Sequence, residues 1–207
     1  MNTRNREPAA LLAEQIVRLL TVEMEASGRH VHLSRGDVEA LFGPGYRLNQ
    51  VRELSQPGQF VCAERVTVEG PKGALANVVV LGPERPESQV EISLTDAVAL
   101  GVRPPVRLSG DITDTPGITL RHGDRTVQLP RGLIVAKRHI HMTPEDAGRF
   151  GVVDKQSVRL RCLTDRPLVF EDVEVRVSTK FSTAVHIDYD EANACGFQKG
   201  DRGFLLP

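Results

Sequence analysis

The chain lacks an excess of charge of either sign: 26 Lys+Arg stand against 27 Asp+Glu in 207 residues, a formal net charge of −1. That balance excludes a global positive field able to hold nucleic acid without sequence preference, while leaving room for a local anion site. Cysteine is scarce as well. Cys62, Cys162 and Cys195 are odd in number, far apart and without Cys-x-x-Cys spacing. This excludes a thiolate zinc clip and a disulfide framework, and it points to a reducing cytoplasm. No apolar run reaches the roughly 20 residues of a membrane span. The N-terminal apolar stretch is broken by Glu14, Gln15 and Arg18, so it reads as neither a span nor a signal-peptide core. The expectation is a soluble intracellular protein with no membrane partner. Its 40% hydrophobic and 26% charged residues are those of an ordinary globular chain, long enough for one large domain or two small ones.

What is present begins with an amphipathic pattern. Ala9, Leu12, Ile16 and Leu19 recur every three or four positions, and Pro8 suits the first turn of a helix. The helix either packs on the body of the protein or serves as a docking peptide for a partner or a protein shell. Beyond it the texture turns to short β-like runs, such as Arg65–Glu69, Asn77–Leu81, Gln89–Ser93 and Val173–Val177, separated by Gly and Pro turn signals. The fold class expected is mainly β: two tandem, pseudo-duplicated small β-barrel domains capped by short helices, after an N-terminal amphipathic helix. The corresponding segments are residues 1–21, 22–115 and 116–207. An N-terminal helix or strand could also pack on the second barrel.

The duplication rests on two landmarks. Gly28-Arg-His-Val-His-Leu-Ser-Arg-Gly-Asp37 reappears as Lys137-Arg-His-Ile-His-Met-Thr-Pro-Glu-Asp146, and Val90-Glu-Ile-Ser-Leu-Thr-Asp-Ala97 is answered by Val185-His-Ile-Asp-Tyr-Asp-Glu-Ala192. In each of the four, a β-patterned segment runs into a helix cap, at Ser34, Thr143, Ser93 and Asp188.

Five of the six histidines fall inside these landmarks. On a strand, the side chains of His30 and His32 point to one face roughly 6.5–7 Å apart, a spacing that suits chelation, and His139 and His141 repeat it. A lone His-x-His is a weak signal, but such concentration is hard to assign to packing. The second landmark aligns Glu91 with His186, each between two apolar residues, and a carboxylate there is costly unless paired or bound to metal. Two candidate sites follow: His30, His32 and Glu91, and His139, His141 and His186. Imidazole and carboxylate suit zinc, and three protein ligands leave a position open for catalysis. Closed structural sites bracing small barrels are the competing reading. His122, in a turn-like polar stretch, reads as solvated. Arg85, between Pro83 and Pro86, is a candidate phosphate-gripping guanidinium or a loop charge.

The segments Arg29-His-Val-His-Leu-Ser34, Gly82-Pro-x-Arg85, Ser88-Gln-Val-Glu-Ile-Ser93, Thr95-Asp-Ala97, Arg107-x-Ser-Gly110, Arg138-His-Ile-His-Met-Thr-Pro-x-Asp-Ala147 and His186-Ile-Asp-x-Asp-Glu-Ala-Asn-Ala194 resemble the signature blocks of the PduL-type phosphate acyltransferases, or phosphotransacylases. The resemblance implies two barrels with a two-zinc site between them, and conversion of acyl-CoA and phosphate to acyl phosphate and CoA. It carries zinc ligation onto the six residues above, phosphate binding onto Arg85, and coenzyme A contacts onto Ser27 and Asn193. Two departures stand out. Members often read Ser-Asn-Arg-His where this chain has Ser27-Gly-Arg-His30, and Glu-Met-His-Ile-Asp-Thr where it has Ala184-Val-His-Ile-Asp-Tyr189. Neither removes a ligand, and both bear on the acyl or coenzyme A pocket.

The mechanism expected is direct attack of phosphate on the thioester, with the cysteines inert. A zinc hydrolase of thioesters and a non-catalytic metal-stabilised scaffold are the alternatives. Microcompartment shell or core proteins and a second copy of the chain are further candidate partners, since compartment members of the family carry an amphipathic N-terminal peptide. The location expected is the cytoplasm, free or enclosed in a bacterial microcompartment.

Overall fold

The computed structural model describes residues 6–206. In chain order, helix α1 (Arg6–Leu20) precedes β1 (Val22–Ser27), β2 (His30–His32), α2 (Arg35–Phe42), β3 (Gln50–Glu53), β4 (Phe60–Glu69), β5 (Ala74–Gly82), β6 (Gln89–Ile92) and α3 (Leu94–Leu100). There follow β7 (Val106–Arg107), β8 (Ile118–His122), β9 (Arg125–Leu129), β10 (Leu133–Ala136), β11 (His139–Met142) and α4 (Pro144–Phe150). The chain closes with β12 (Ser157–Leu163), β13 (Val169–Val177), β14 (Ala184–Asp188), α5 (Tyr189–Cys195) and β15 (Arg202–Leu206). The mainly β class is as expected, and each of the four β-like runs lies in a strand, with Ser93 just past the end of β6 as a cap.

By contact the chain forms two compact units that interleave along the sequence. One comprises the chain up to Glu25, His139–His186 and the chain from Ala192 onward; the other comprises Ala26–Arg138 and Ile187–Glu191. In the first, a closed six-stranded barrel runs β1-β14-β11-β13-β12-β15. The N-terminal strand β1 thus completes the barrel built mostly from the C-terminal part of the chain, pairing with β15 through Val22 opposite Gly203. Its interior is filled by side chains such as Met24, Ile140, Leu160, Val173 and Val185, all essentially inaccessible. In the second unit a nine-stranded sheet curls into a half-barrel in the order β7-β10-β6-β2-β5-β4-β8-β9, with β3 on β4. Its core is aliphatic, with Val31, Leu33, Val66, Val80, Val90, Leu120 and Leu133 at its centre.

Strand position decides what each side chain must satisfy. In β12 burial alternates strictly, the signature of a strand with one wet face. In β2, β6 and β11 every residue is buried. Polar groups placed there cannot turn to solvent and need partners, and those three strands carry five of the six candidate ligands.

The caps form at all four landmarks. Ser34 and Thr143 accept from the amides of Asp37 and Asp146, opening α2 and α4. Ser93 and Asp96 make a reciprocal capping box on α3, and Asp188 and Glu191 do the same on α5, at 2.8 and 3.1 Å. The duplication extends to groups that the sequence pattern did not single out. Ser88 Oγ accepts from the Ser34 amide at 2.8 Å and donates to Asp37. Thr183 Oγ1 accepts from the Thr143 amide at 3.2 Å and donates to Asp146. Each hydroxyl lies three residues before the third candidate ligand, so each ties that strand to the helix that follows the His-x-His strand. Likewise Arg29 pairs with Asp96 at 2.8 Å, and Arg138 with Glu191 at 2.7 Å.

Helix α1 does not bury its apolar face. Leu11, Leu12, Ile16, Val17, Leu19 and Leu20 are 46–60% exposed, so packing on the body, the first of the two readings for this helix, is not what the structure contains. No described helix is long and apolar enough to cross a membrane.

Candidate metal centres

Strand register assembles both triads. In the half-barrel β2 runs antiparallel to β6 with His30 opposite Glu91, and parallel to β5 with His30 opposite Val79. In the barrel β11 runs antiparallel to β14 with His139 opposite His186, and parallel to β13. One pairing scheme, used twice, brings the third residue beside the His-x-His pair. In each triad one ligand atom per residue lies within 4.8 Å of the other two.

In the first triad the His30 and His32 Nε2 atoms are 3.5 and 3.8 Å from Glu91 Oε1. The Gly28 carbonyl can only accept, so its 2.8 Å contact places a proton on His30 Nδ1 and leaves Nε2 facing the carboxylate. Burial opposes charge on His30, but the attraction and hydrogen bond of Glu91 outweigh it, and the pKa rises. Burial likewise opposes charge on Glu91, yet the two imidazoles and Ser109 hold its carboxyl well below the usual carboxylate range. His32 goes the other way: burial and the charge of His30 keep it neutral.

In the second triad the imidazole centroids lie 4.6 to 5.1 Å apart, and Phe181 covers His141 at 4.1 Å. Burial, then His139 and His186, push the His141 pKa down to about 2, so it is a neutral imidazole at any physiological pH. Glu25 Oε2 stands 3.8 Å from His186 Nδ1, placed as carboxylates are when they orient a metal-bound imidazole. Sequence reasoning missed Glu25. A buried nitrogen without any hydrogen bond costs about 1–3 kcal/mol, and each triad contains one at the same position, His32 Nδ1 and His141 Nδ1. Three mutually close donors, at least one neutral imidazole and an orphaned nitrogen fit a divalent cation such as zinc in each triad.

Arg85 reaches the first triad through a short network. Its backbone amide donates to Leu33 at 2.9 Å, which ties the loop after the cis Gly82–Pro83 bond to the end of β2. Its guanidinium donates to Ser109 Oγ at 3.0 Å. The same hydroxyl accepts from Gln89 Nε2 at 3.0 Å, and that amide also donates to Glu91 Oε1 at 2.5 Å. The Arg85 charge acts on both His30 and His32. Ser109 and Gln89 were quoted for the resemblance but given no role; only the fold shows them joining Arg85 to Glu91.

The other residues singled out are placed as follows. Ser27, half-buried, lines a recess beside His30 and Glu91. Asn193 is exposed on α5. His122 is exposed, its ring tilted against Phe42 at 4.6 Å and hydrogen-bonded to the Arg65 carbonyl at 3.0 Å, as its solvated reading expects. Cys62, Cys162 and Cys195 are all buried, and none is in a disulfide. Burial pushes the Cys62 thiol up to about 11 and raises that of Cys195. At about pH 8 the Cys62 thiol is almost wholly protonated, and burial keeps all three side chains from a reagent in solution. A thiol-reactive disulfide reagent should therefore modify no cysteine within minutes in the folded protein and all three in denaturant. Rapid native labelling of any one would reopen the question of a thiol nucleophile.

The family model described as phosphate propanoyltransferase matches residues 23–198. The chain is 59% identical over 201 residues to the phosphate propanoyltransferase of Enterococcus faecalis, covering 94% of this chain and 95% of that one. It is 58% identical over 206 residues to that of Listeria monocytogenes, covering 98% and 97%. To that of Clostridioides difficile it is 59% identical over 179 residues, covering 86% of each.

Proposed function

We propose, from the premise that this chain belongs to the phosphate propanoyltransferase family, that it transfers an acyl group reversibly between coenzyme A and inorganic phosphate by direct attack, with one zinc ion in each triad. It is an acyltransferase, and the name of its relatives makes propionyl-CoA the first acyl donor to test. The observation that carries the metal reading is the duplicated register: His30 opposite Glu91 and His139 opposite His186, each beside an imidazole whose Nδ1 is buried without a partner.

A phosphate oxygen attacks the thioester carbonyl carbon, the C–S bond breaks, and coenzyme A leaves as thiolate. Zinc, when bound, supplies a Lewis acid and a soft acceptor suited to thiolate. The rest belongs to the chain. Arg85 grips phosphate through two parallel N–H donors, and Ser109 and Gln89 hold that guanidinium and Glu91 in one network. Orientation of two anionic reactants can contribute several kcal/mol of the roughly 7–11 that such effects reach. The buried thiols take no part, and direct attack by phosphate needs no acyl-enzyme. Ser27 and Asn193 are candidates for coenzyme A contacts.

The test is purified protein with acetyl-CoA and propionyl-CoA, with and without phosphate, alongside metal analysis. Phosphate-dependent release of coenzyme A with two zinc equivalents per chain is expected. Equal release without phosphate would establish a thioester hydrolase, and metal-stabilised folding without any turnover would establish a scaffold.

The exposed apolar face of α1 supports the packaging reading and a location inside a protein shell. Removing residues 1–20 should leave turnover and melting temperature unchanged while abolishing co-sedimentation with compartment shell or core proteins. Unchanged co-sedimentation would remove this role.

A further inference from the structure

Gly28 is glycine for want of space. Its φ lies outside the left-handed region, so the backbone would accept other residues. A Cβ there, however, would stand 2.8 Å from Tyr189 Cζ and 3.0 Å from Cε2 and Oη, closer than real side chains pack. The Tyr189 ring therefore fills the volume that a side chain at position 28 would take. The two positions are 161 apart in sequence, and only the fold brings them together.

The ring belongs to a recess built within one unit. Ser27, Gly28, His30, Glu91, Asp188 and Tyr189 are among its walls. The recess opens to solvent, and the room it encloses is that of about one water molecule. With the Tyr189 ring as a wall it leaves space for the end of a short group and not for a whole cosubstrate. It shares His30 and Glu91 with the first triad. A carbonyl presented to that triad would direct its attached alkyl group along the recess, against the Tyr189 ring. Tyr189 is 52% exposed, as a wall at an open mouth is.

We propose that Tyr189 is a specificity-determining residue for the acyl group, its ring occupying the space left by Gly28 and setting how long an alkyl chain the recess accepts. This inference rests on the acyl-transfer reading above.

The experiment compares kcat/KM for acetyl-, propionyl-, butyryl- and hexanoyl-CoA at saturating phosphate in the full-length, zinc-loaded wild type and in Tyr189→Ala, Tyr189→Phe, Gly28→Ala and the double variant Gly28→Ala with Tyr189→Ala. One methylene in a fitted apolar pocket is worth about 10- to 200-fold. Tyr189→Ala should raise the hexanoyl-to-propionyl ratio by at least about 10-fold, with zinc content and phosphate KM unmoved. Tyr189→Phe should keep the wild-type ratio, because the ring and not the hydroxyl forms the wall. Gly28→Ala alone should impair turnover of every substrate, and the double variant should recover it. A Tyr189→Ala ratio within about twofold of wild type, or parallel losses for all four substrates, overturns the inference while leaving acyl transfer intact. A wild type that turns over none of the four removes the acyl-transfer reading and this inference with it.

Discussion

Replacing Glu91 with glutamine should remove one of two zinc equivalents and lower phosphate-dependent turnover by about 10³-fold or more, roughly 4 kcal/mol of transition-state stabilisation. Glutamine keeps the shape of the side chain but loses the negative charge that draws a divalent cation to His30 and His32, and a neutral amide oxygen is the weaker ligand. Glu91 is 6% exposed, between Val90 and Ile92 at 0% and 2%, so no solvent charge can take its place. The second triad supplies the internal control: His139, His141 and His186 lie in the other contact unit and should retain their single equivalent. Metal analysis and melting temperature distinguish loss of the ion from loss of the fold. Removing one partner of a buried charged pair costs about 3–5 kcal/mol, so the metal-free variant should also melt earlier. Two retained equivalents with full activity would remove Glu91 from the ligand set.

Replacing Arg85 with alanine should reduce kcat/KM for phosphate by about 10²–10³-fold, the range seen when a preorganised donor to a developing anion is deleted. The KM for acyl-CoA should stay within about twofold of wild type, since a residue that grips phosphate does not hold the thioester. Lysine at position 85 should recover only part of the loss, because an ammonium group cannot present the parallel N–H pair of guanidinium. Ser109→Ala should produce a smaller defect of the same kind, about 10-fold, since Arg85 survives but its 3.0 Å anchor does not. A phosphate KM that does not move in Arg85→Ala would return Arg85 to the status of a loop charge.

How far such sites are readable in a linear chain depends on the range of the interactions that build them. His30 and His32 could be paired on paper because period-two alternation is a property of any strand. Glu91 could be joined to them because the duplicated landmark aligned it with His186. The four helix caps were equally legible, each being a contact within three residues. Glu25, Ser109 and Thr183 were not. Glu25 meets His186 because β1 and β14 are neighbours in the closed barrel, far apart in the chain, and Ser109 reaches Arg85 from 24 residues away. The fate of the α1 face was undecidable as well, because periodicity shows that a face is apolar and not whether anything covers it.

The order of residues was enough to reach the mainly β architecture and to group the two candidate triads, since these follow from local alternation and internal alignment, while Arg85 was picked out by its flanking prolines and the family resemblance. Folding in three dimensions settled that β1 closes the barrel of the chain's far end, that one unit closes while the other remains a curled sheet, and that Tyr189 lies against Gly28. Those outcomes depend on which distant surfaces exclude water together and which volumes cannot be shared, and neither is encoded in the neighbourhood of any single residue.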